Sequence, residues 1–564
     1  MTYFCNGRPD LRVFDRNLLV LLRWRFCRII GFRAASLACD EMTLREMNTP
    51  QSDPSRPGRD ARWRDPVILV LLIPAAAKLL LQLLFVSGWG LHGDELYYLA
   101  CSDHLDWGYV DQPPLSLFLL HIQRVVFGDS MLSIRFLSAI CGACTVLLTG
   151  LLARRMGAGP FGQLLSGICV LIAPLYLAIN HFFSMNCFDL LFWIVALYLV
   201  VCLIDGGRPV LWVWFGLVIG IGFENKISVL FLFFGLGVGL LLTEQRRLLF
   251  TRWIWVGALL AALLILPNML WQVAHGWPTL EWIGNARAQK MVAMSFPSYL
   301  LEQLLLLQPL TVLVWGTGLV SLLVYPPLRM YRSLGWCYLA VLAVFVLQGG
   351  KPYYLGPIYP VLFAAGATAI ERWLSKPWMR AAVAVLLLAA GALTAPLGMP
   401  LLSVETFINY QNALGLRPSS GERIAEGKLP SFFASMIGNE KIVAVIDTVF
   451  RSLTPEEKGK CGIYCQNYSL AGAVDFYGRR TGLPHAISGH NSYWLWGTRG
   501  YTGEVFIVVG GRAGDLKKYF EDVTVRGRFR DEFVQPMYND LPVYLVRKPK
   551  QSLESLWPQV KHYI

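Results

Sequence analysis

From about residue 66 to residue 400 the chain alternates between long apolar runs and short polar connections, and after that its character changes. Eleven runs approach the roughly twenty apolar residues that cross a bilayer as a helix. They lie at about 66–86, 133–152, 161–183, 187–203, two short runs flanking Glu224-Asn225-Lys226, 253–271, one ending before Arg329, 334–347, one returning to Arg372, and 380–401. Another apolar stretch, 115–127, is too short to cross and is expected to lie at the interface. Residues 402–564 are polar enough to face water. There 469–481 reads as helix, and 441–448, 504–510 and 541–547 read as strands, which predicts a small α/β domain. Before the first run, 17–32 is apolar but broken by Arg23, Arg25 and Arg28, and reads as a basic surface helix. Residues 48–65, rich in Pro, Ser, Asp and Arg, read as a disordered linker, and Met42 and Met47 offer alternative starts. The expected organisation is an N-terminal segment (1–65), a polytopic α-helical membrane domain of about eleven spans (66–401) and a C-terminal α/β domain (402–564).

Composition supports a membrane protein. Of the 564 residues 55% are hydrophobic and 15% are charged, against about a quarter charged in soluble domains. The net charge of +13 does not point to nucleic acid, because Lys and Arg fall mainly in alternate short loops, as the positive-inside rule requires. Arg62 and Arg64 put the start of the first run in the cytoplasm. Arg154-Arg155, Arg246-Arg247 and Arg329 with Arg332 fall on the same side. By that count the loops holding Asp94 and Lys351, and all of 402–564, face outward. Of twelve cysteines, Cys461 and Cys465 stand in the polar part, where an extracytoplasmic location allows a small-loop disulfide; two unpaired thiols are the alternative.

The candidate chemistry gathers in the first outer loop. Gly93-Asp94-Glu95-Leu96-Tyr97-Tyr98 is followed by Leu105-Asp106-Trp107-Gly108-Tyr109-Val110-Asp111-Gln112-Pro113-Pro114. Carboxylates beside a membrane are costly unless they face water or a cavity. One can serve as general base, and a second can orient the first or hold a divalent cation. Lys351-Pro352-Tyr353-Tyr354 opens a late span, where Lys supplies charge and Tyr a hydrogen bond for a phosphate; an interfacial belt is the plainer reading. His275 and Glu281 share another outer loop and could contact substrate or metal. Glu224-Asn225-Lys226 reads as a self-paired polar patch, and Asn180 and His181 as interfacial residues.

The two first-loop motifs resemble those of bacterial glycosyltransferases of the dolichyl-phosphate-mannose-protein mannosyltransferase type, which share the GT-C fold with the aminoarabinose transferases that modify lipid A. Lys351-Pro-Tyr-Tyr-Leu-Gly-Pro-Ile-Tyr-Pro360 resembles their entry to a late span, and 467–496 the tail of many bacterial members. The resemblance implies a polyprenyl-phosphate sugar donor, a lipid, glycan or protein acceptor, and transfer with inversion at the outer face of the bacterial inner membrane. It implies Asp94 as base, Glu95 beside it, Asp111 at an acid that helps form a metal site, and Tyr354 against the lipid phosphate; His275 is the other candidate metal ligand from its outer-loop position alone. Gln112 stands where the aminoarabinose branch has Lys, so one phosphate-binding charge is absent. A transporter or lipid flippase is the rival class, but no internal repeat is visible and the polar residues cluster at one face.

Overall fold

A computed structural model describes residues 67–292, 294–418 and 421–564. The basic stretch 17–32 and the linker 48–65 lie outside the described residues. Every one of the eleven apolar runs contains helix. Six helices are long and apolar enough to cross a membrane, and two bent pairs raise that number to eight: Pro160–Ile172 with Pro174–His181 (63°) and Phe296–Leu306 with Pro309–Val324 (104°). The other three runs give the shorter helices Val67–Leu84, Leu211–Asn225 and Val229–Leu241. The expected eleven crossings therefore number six to eight by length and composition among the described residues. The stretch expected at the interface is a 13-residue helix, Leu115–Phe127, about 20 Å long. One face of it, with Phe118, Ile122 and Val125, is exposed.

The apolar core centres on Met185–Ile204 and Tyr359–Trp373, while Arg252–Ala274 and Pro377–Thr394 form an outer rim with little burial. Helices in an apolar solvent associate by close backbone approach rather than by hydrophobic exclusion. Val312–Val324 meets Tyr359–Trp373 in this way: a Cβ on Gly366 would lie 1.8 Å from the Val314 carbonyl oxygen. Pro174 breaks the third run. Lys78 and Gln82 from the first helix donate to the carbonyls of Tyr176 (2.9 Å) and Leu177 (3.1 Å) in its second half. Asn180 and His181, expected at the interface, are instead each 1% exposed, because the bend turns them inward, His181 against Arg135 and Asn180 against Gly142.

The C-terminal part forms a five-stranded mixed sheet of order β2-β1-β3-β5-β4. Its strands are β1 (Cys461–Cys465), β2 (Ala486–Ile487), β3 (Val505–Val509), β4 (Phe520–Phe529) and β5 (Leu541–Pro549). β1 runs parallel to β2 and β3, and β5 is antiparallel to β3 and β4. The wholly buried β3 is central, and helix Tyr468–Tyr477 connects β1 to β2. The expected strand at 441–448 is helix Asn439–Arg451. Its β-branched residues suggest a strand, but Ile442, Val443, Ile446 and Val449 recur at helical spacing and are the residues buried. Cys461 and Cys465 are free and buried. They end one extended strand, about 13 Å apart, beyond the roughly 7 Å that a disulfide spans.

Candidate active site

The first-loop motif folds into helix Gly93–Asp103, and its N-terminus organises the site. His92 caps it: Asp94 N–H donates to His92 Nδ1 (3.0 Å), and His92 N–H donates to Glu95 Oε2 (2.9 Å). This reciprocal capping box satisfies two otherwise orphaned donors. It also sends the two adjacent acids to different places.

Glu95 is fully buried. Arg135 Nε donates to its Oε1 (2.9 Å) and Arg135 Nη2 to its Oε2 (2.5 Å), while Phe183 N–H donates to Oε1 (2.8 Å). Arg135 also donates to the carbonyls of Val86 and Gly90, both at 2.7 Å. Every favourable lone-pair direction on Glu95 is occupied and no substrate can reach it. Glu95, expected in the catalytic set, is thus buried and committed to Arg135, Phe183 and the start of the helix.

Asp94 points the other way, with its side chain 45% exposed. Its partner comes from the C-terminal domain: the Tyr468 hydroxyl donates to Asp94 Oδ1 (3.1 Å). Tyr468 stacks on Tyr97 with centroids 4.5 Å apart. The two helices approach closely because Gly472 has no side chain; a Cβ there would sit 2.5 Å from the Leu96 carbonyl oxygen.

Asp111 lies behind this pair. It accepts from the Tyr97 hydroxyl (2.8 Å) and from Asn491 Nδ2 (3.2 Å). Ser492 Oγ accepts from Val110 N–H at 3.2 Å and lies 2.8 Å from the Tyr97 hydroxyl. Burial pushes the Asp111 carboxyl up to about 6, against the downward pull of the Tyr97 hydrogen bond. The folded state thus holds this proton more tightly than the unfolded chain, whose carboxyl titrates near 3.8. The ionised carboxylate costs stability above pH 6, and the cost disappears below the unfolded value. Asp111→Asn is therefore expected to raise stability at pH 7.5 by about 1–2 kcal/mol, with the gain vanishing near pH 4. Its amide can still meet both neighbours. Thermal unfolding at the two pH values checks this.

The late-span motif lies in the same electrostatic neighbourhood, since the charge of Asp94 acts on Lys351 and Tyr353. Lys351 Nζ pairs with Glu422 (2.5 Å). The rings of Tyr354 and Tyr353 instead face Lys226, with Nζ 5.2 and 5.9 Å from their centroids. Lys226 is held by Asn186 Oδ1 (2.8 Å) and Asp189 (3.5 Å), so the patch at 224–226 is not self-paired as expected. Gln112 is 2% exposed, and no hydrogen-bond partner meets its Nε2 among the described residues.

The two expected metal ligands each have other partners, Tyr97 and Asn491 in the case of Asp111. His275 Nδ1 meets the Trp271 carbonyl (2.9 Å) and its ring stacks on Trp271, while Glu281 pairs with Lys561 (2.7 Å). Among the described residues no group of three or more His, Cys, Asp or Glu is placed to hold a metal. The residues present do not fit such a centre, and no step below passes through one. Sequence reasoning missed Arg135, Tyr468, Asn491 and Ser492. Arg135 had a signal, as a lone charge within an apolar run. The other three lie in the tail pattern 467–496, which indicates kinship but not contact.

Residues 111–271 match the sequence profile of the dolichyl-phosphate-mannose-protein mannosyltransferase family. Lipid A galacturonosyltransferase RgtD of Rhizobium johnstonii is 28% identical over 189 residues, 33% of this chain and 40% of that protein. An undecaprenyl phosphate-alpha-4-amino-4-deoxy-L-arabinose arabinosyl transferase of Pseudomonas savastanoi pv. phaseolicola is 28% identical over 186 residues, 29% of this chain and 33% of that protein. The chain thus spans two-fifths or less of the curated relatives it matches. ArnT from Cupriavidus metallidurans shares the fold over nearly its whole length. In the apo state it has a TM-score of 0.55 at 14% identity, covering 87% of this chain and 98% of ArnT. Bound to undecaprenyl phosphate it has a TM-score of 0.53 at 15% identity, covering 85% and 97%. A mannosyltransferase profile thus matches part of the helical domain, and the fold is that of ArnT over 87% of the chain.

Proposed function

We propose that the protein transfers a sugar from a polyprenyl-phosphate donor to a lipid, glycan or protein acceptor at the outer face of the inner membrane, with inversion. The observation that carries this reading is the division of labour between adjacent acids: Glu95 is locked inside, while Asp94 is half exposed and aimed by Tyr468. Asp94 takes the proton as the acceptor oxygen or nitrogen attacks the anomeric carbon. The bond from that carbon to the phosphate oxygen breaks, and polyprenyl phosphate leaves with the electron pair. Lys351, Tyr353 and Tyr354 stabilise the charge that gathers on the phosphate, which is worth most where water is scarce. Asp111 orients a sugar hydroxyl. The basic inner loops support an outward-facing site and C-terminal domain.

In this mechanism the donor phosphate replaces Glu422 on Lys351. Glu422→Gln is therefore expected to lower the donor KM by several-fold, roughly the effect of 1 kcal/mol, with kcat nearly constant. A rise in KM would instead assign Glu422 a part in binding. The reading as a whole is tested by turnover of labelled undecaprenyl-phosphate sugars in proteoliposomes, with an envelope extract as acceptor. Release of undecaprenyl phosphate is expected. Movement of intact donor between leaflets without release, across a panel of sugars, would replace the transferase by a flippase.

A further inference from the structure

We propose that Asn491 is a positioning residue for this transfer: it fixes the direction of the Asp111 carboxylate, and the segment 562–564 holds it in place. The inference rests on the transferase reading and adds to the site a residue 380 positions from the carboxylate it serves.

Three observations meet at Asn491. Its backbone is strained, with φ 49° and ψ −133°, in a fully buried non-glycine residue. Such strain persists only where the surroundings over-determine it, and it collects at functional sites. Both ends of its amide are also engaged. Nδ2 donates to Asp111 Oδ2 (3.2 Å) and Oδ1 accepts from Ile564 N–H (3.0 Å), so its two partners fix which way the amide faces. Finally, the turn that carries it is clamped. Asn491 N–H donates to the His562 carbonyl (3.0 Å), and His562 N–H donates to the Gly489 carbonyl (2.8 Å). A Cβ on Gly489 would stand 1.8 Å from the Val560 carbonyl oxygen, so the two segments pack backbone against backbone.

The same clamp reaches the other carboxylate. His490 Nδ1 accepts from Tyr468 N–H (3.4 Å), which puts the ring proton on Nε2, and Nε2 donates to the main-chain oxygen of Ile564 (2.9 Å). Burial holds this imidazole neutral, with its pKa pushed down to about 3. Tyr468 in turn donates to Asp94. One turn therefore sets the direction of Asp111 directly and steadies the partner of Asp94.

Glycine at 491 relaxes the backbone and deletes the amide, so it separates a positioning role from a structural one. Asn491→Gly is expected to keep a Tm near that of the wild type, because relief of the strain offsets the two hydrogen bonds lost, yet lose about tenfold or more in kcat with donor KM little changed, since a small misplacement of a reacting group is costly. Ile564→Pro removes the N–H that holds the amide and sets a ring carbon against its oxygen, and it is expected to lower kcat similarly. If Asn491 acts through Asp111, the double variant Asn491→Gly/Asp111→Asn is no slower than Asp111→Asn alone. Wild-type kcat in Asn491→Gly, a loss that tracks Tm, or losses that multiply in the double variant would overturn the inference while leaving the transferase intact. A folded wild type that releases no lipid phosphate would overturn the transferase reading, and this inference with it.

Discussion

Asp94→Asn is expected to lower kcat by about a thousandfold, within the 10²–10⁴ that a positioned general base supplies, while donor KM and Tm barely move. The substitution is isosteric. Its amide oxygen can still accept from Tyr468, and the first helical turn loses only a favourable charge worth about 0.3–1 kcal/mol. The protein should therefore reach the membrane in normal amounts and bind donor normally. Tyr468→Phe, which leaves the carboxylate but frees its direction, is expected to lose about tenfold. The measurement is release of polyprenyl phosphate under single-turnover conditions, which separates chemistry from product release. If Asp94→Asn retained more than a tenth of the wild-type rate, the base would have to be sought elsewhere, and Asp111 is the carboxylate closest to hand.

Arg135→Met is expected to cost about 3–5 kcal/mol, the penalty for leaving a buried charge without its partner. Glu95 is fully buried, and Arg135 is its sole cationic partner among the described residues. The variant also strands the Val86 and Gly90 carbonyls that Arg135 caps. Glu95→Gln should be milder, because an amide oxygen still accepts from Arg135 and Phe183. The double variant Glu95→Gln/Arg135→Met should be more stable than Arg135→Met alone, since it leaves no uncompensated charge. Thermal unfolding in detergent and membrane abundance read both effects. A double variant worse than the single would mean that the backbone caps, not the ion pair, dominate.

The helices were legible because a bilayer admits only long apolar segments with internally satisfied backbones, and each apolar run does contain helix. Their lengths were less so: Pro174 breaks one run at a point where Lys78 and Gln82, about 95 residues earlier in the chain, stabilise the bend. The first loop announced its chemistry through acids and aromatics at a membrane edge. It did not reveal which acid was free, because that depends on Arg135 for Glu95 and on Tyr468 for Asp94, contacts made across 40 and 374 residues. The strand expected at 441–448 failed for a local reason, since Ile and Val satisfy an alternating and a helical pattern equally well over so short a span. His275 looked like a ligand because it sat near acids in sequence; in space its ring packs on Trp271.

Asp111 meets its amide partner across 380 residues, and that separation bears on how the protein is made. A ribosome adding about 5–20 residues per second reaches Asn491 roughly 20–75 s after Asp111. For most of that interval the nascent helices already sit among lipids while Asp94 lacks Tyr468 and Asp111 has Tyr97 but lacks Asn491. Under the proposed transfer, the unfinished chain is therefore expected to be slow toward the lipid-linked sugar pool, so that synthesis can stall or be aborted with little drain on it.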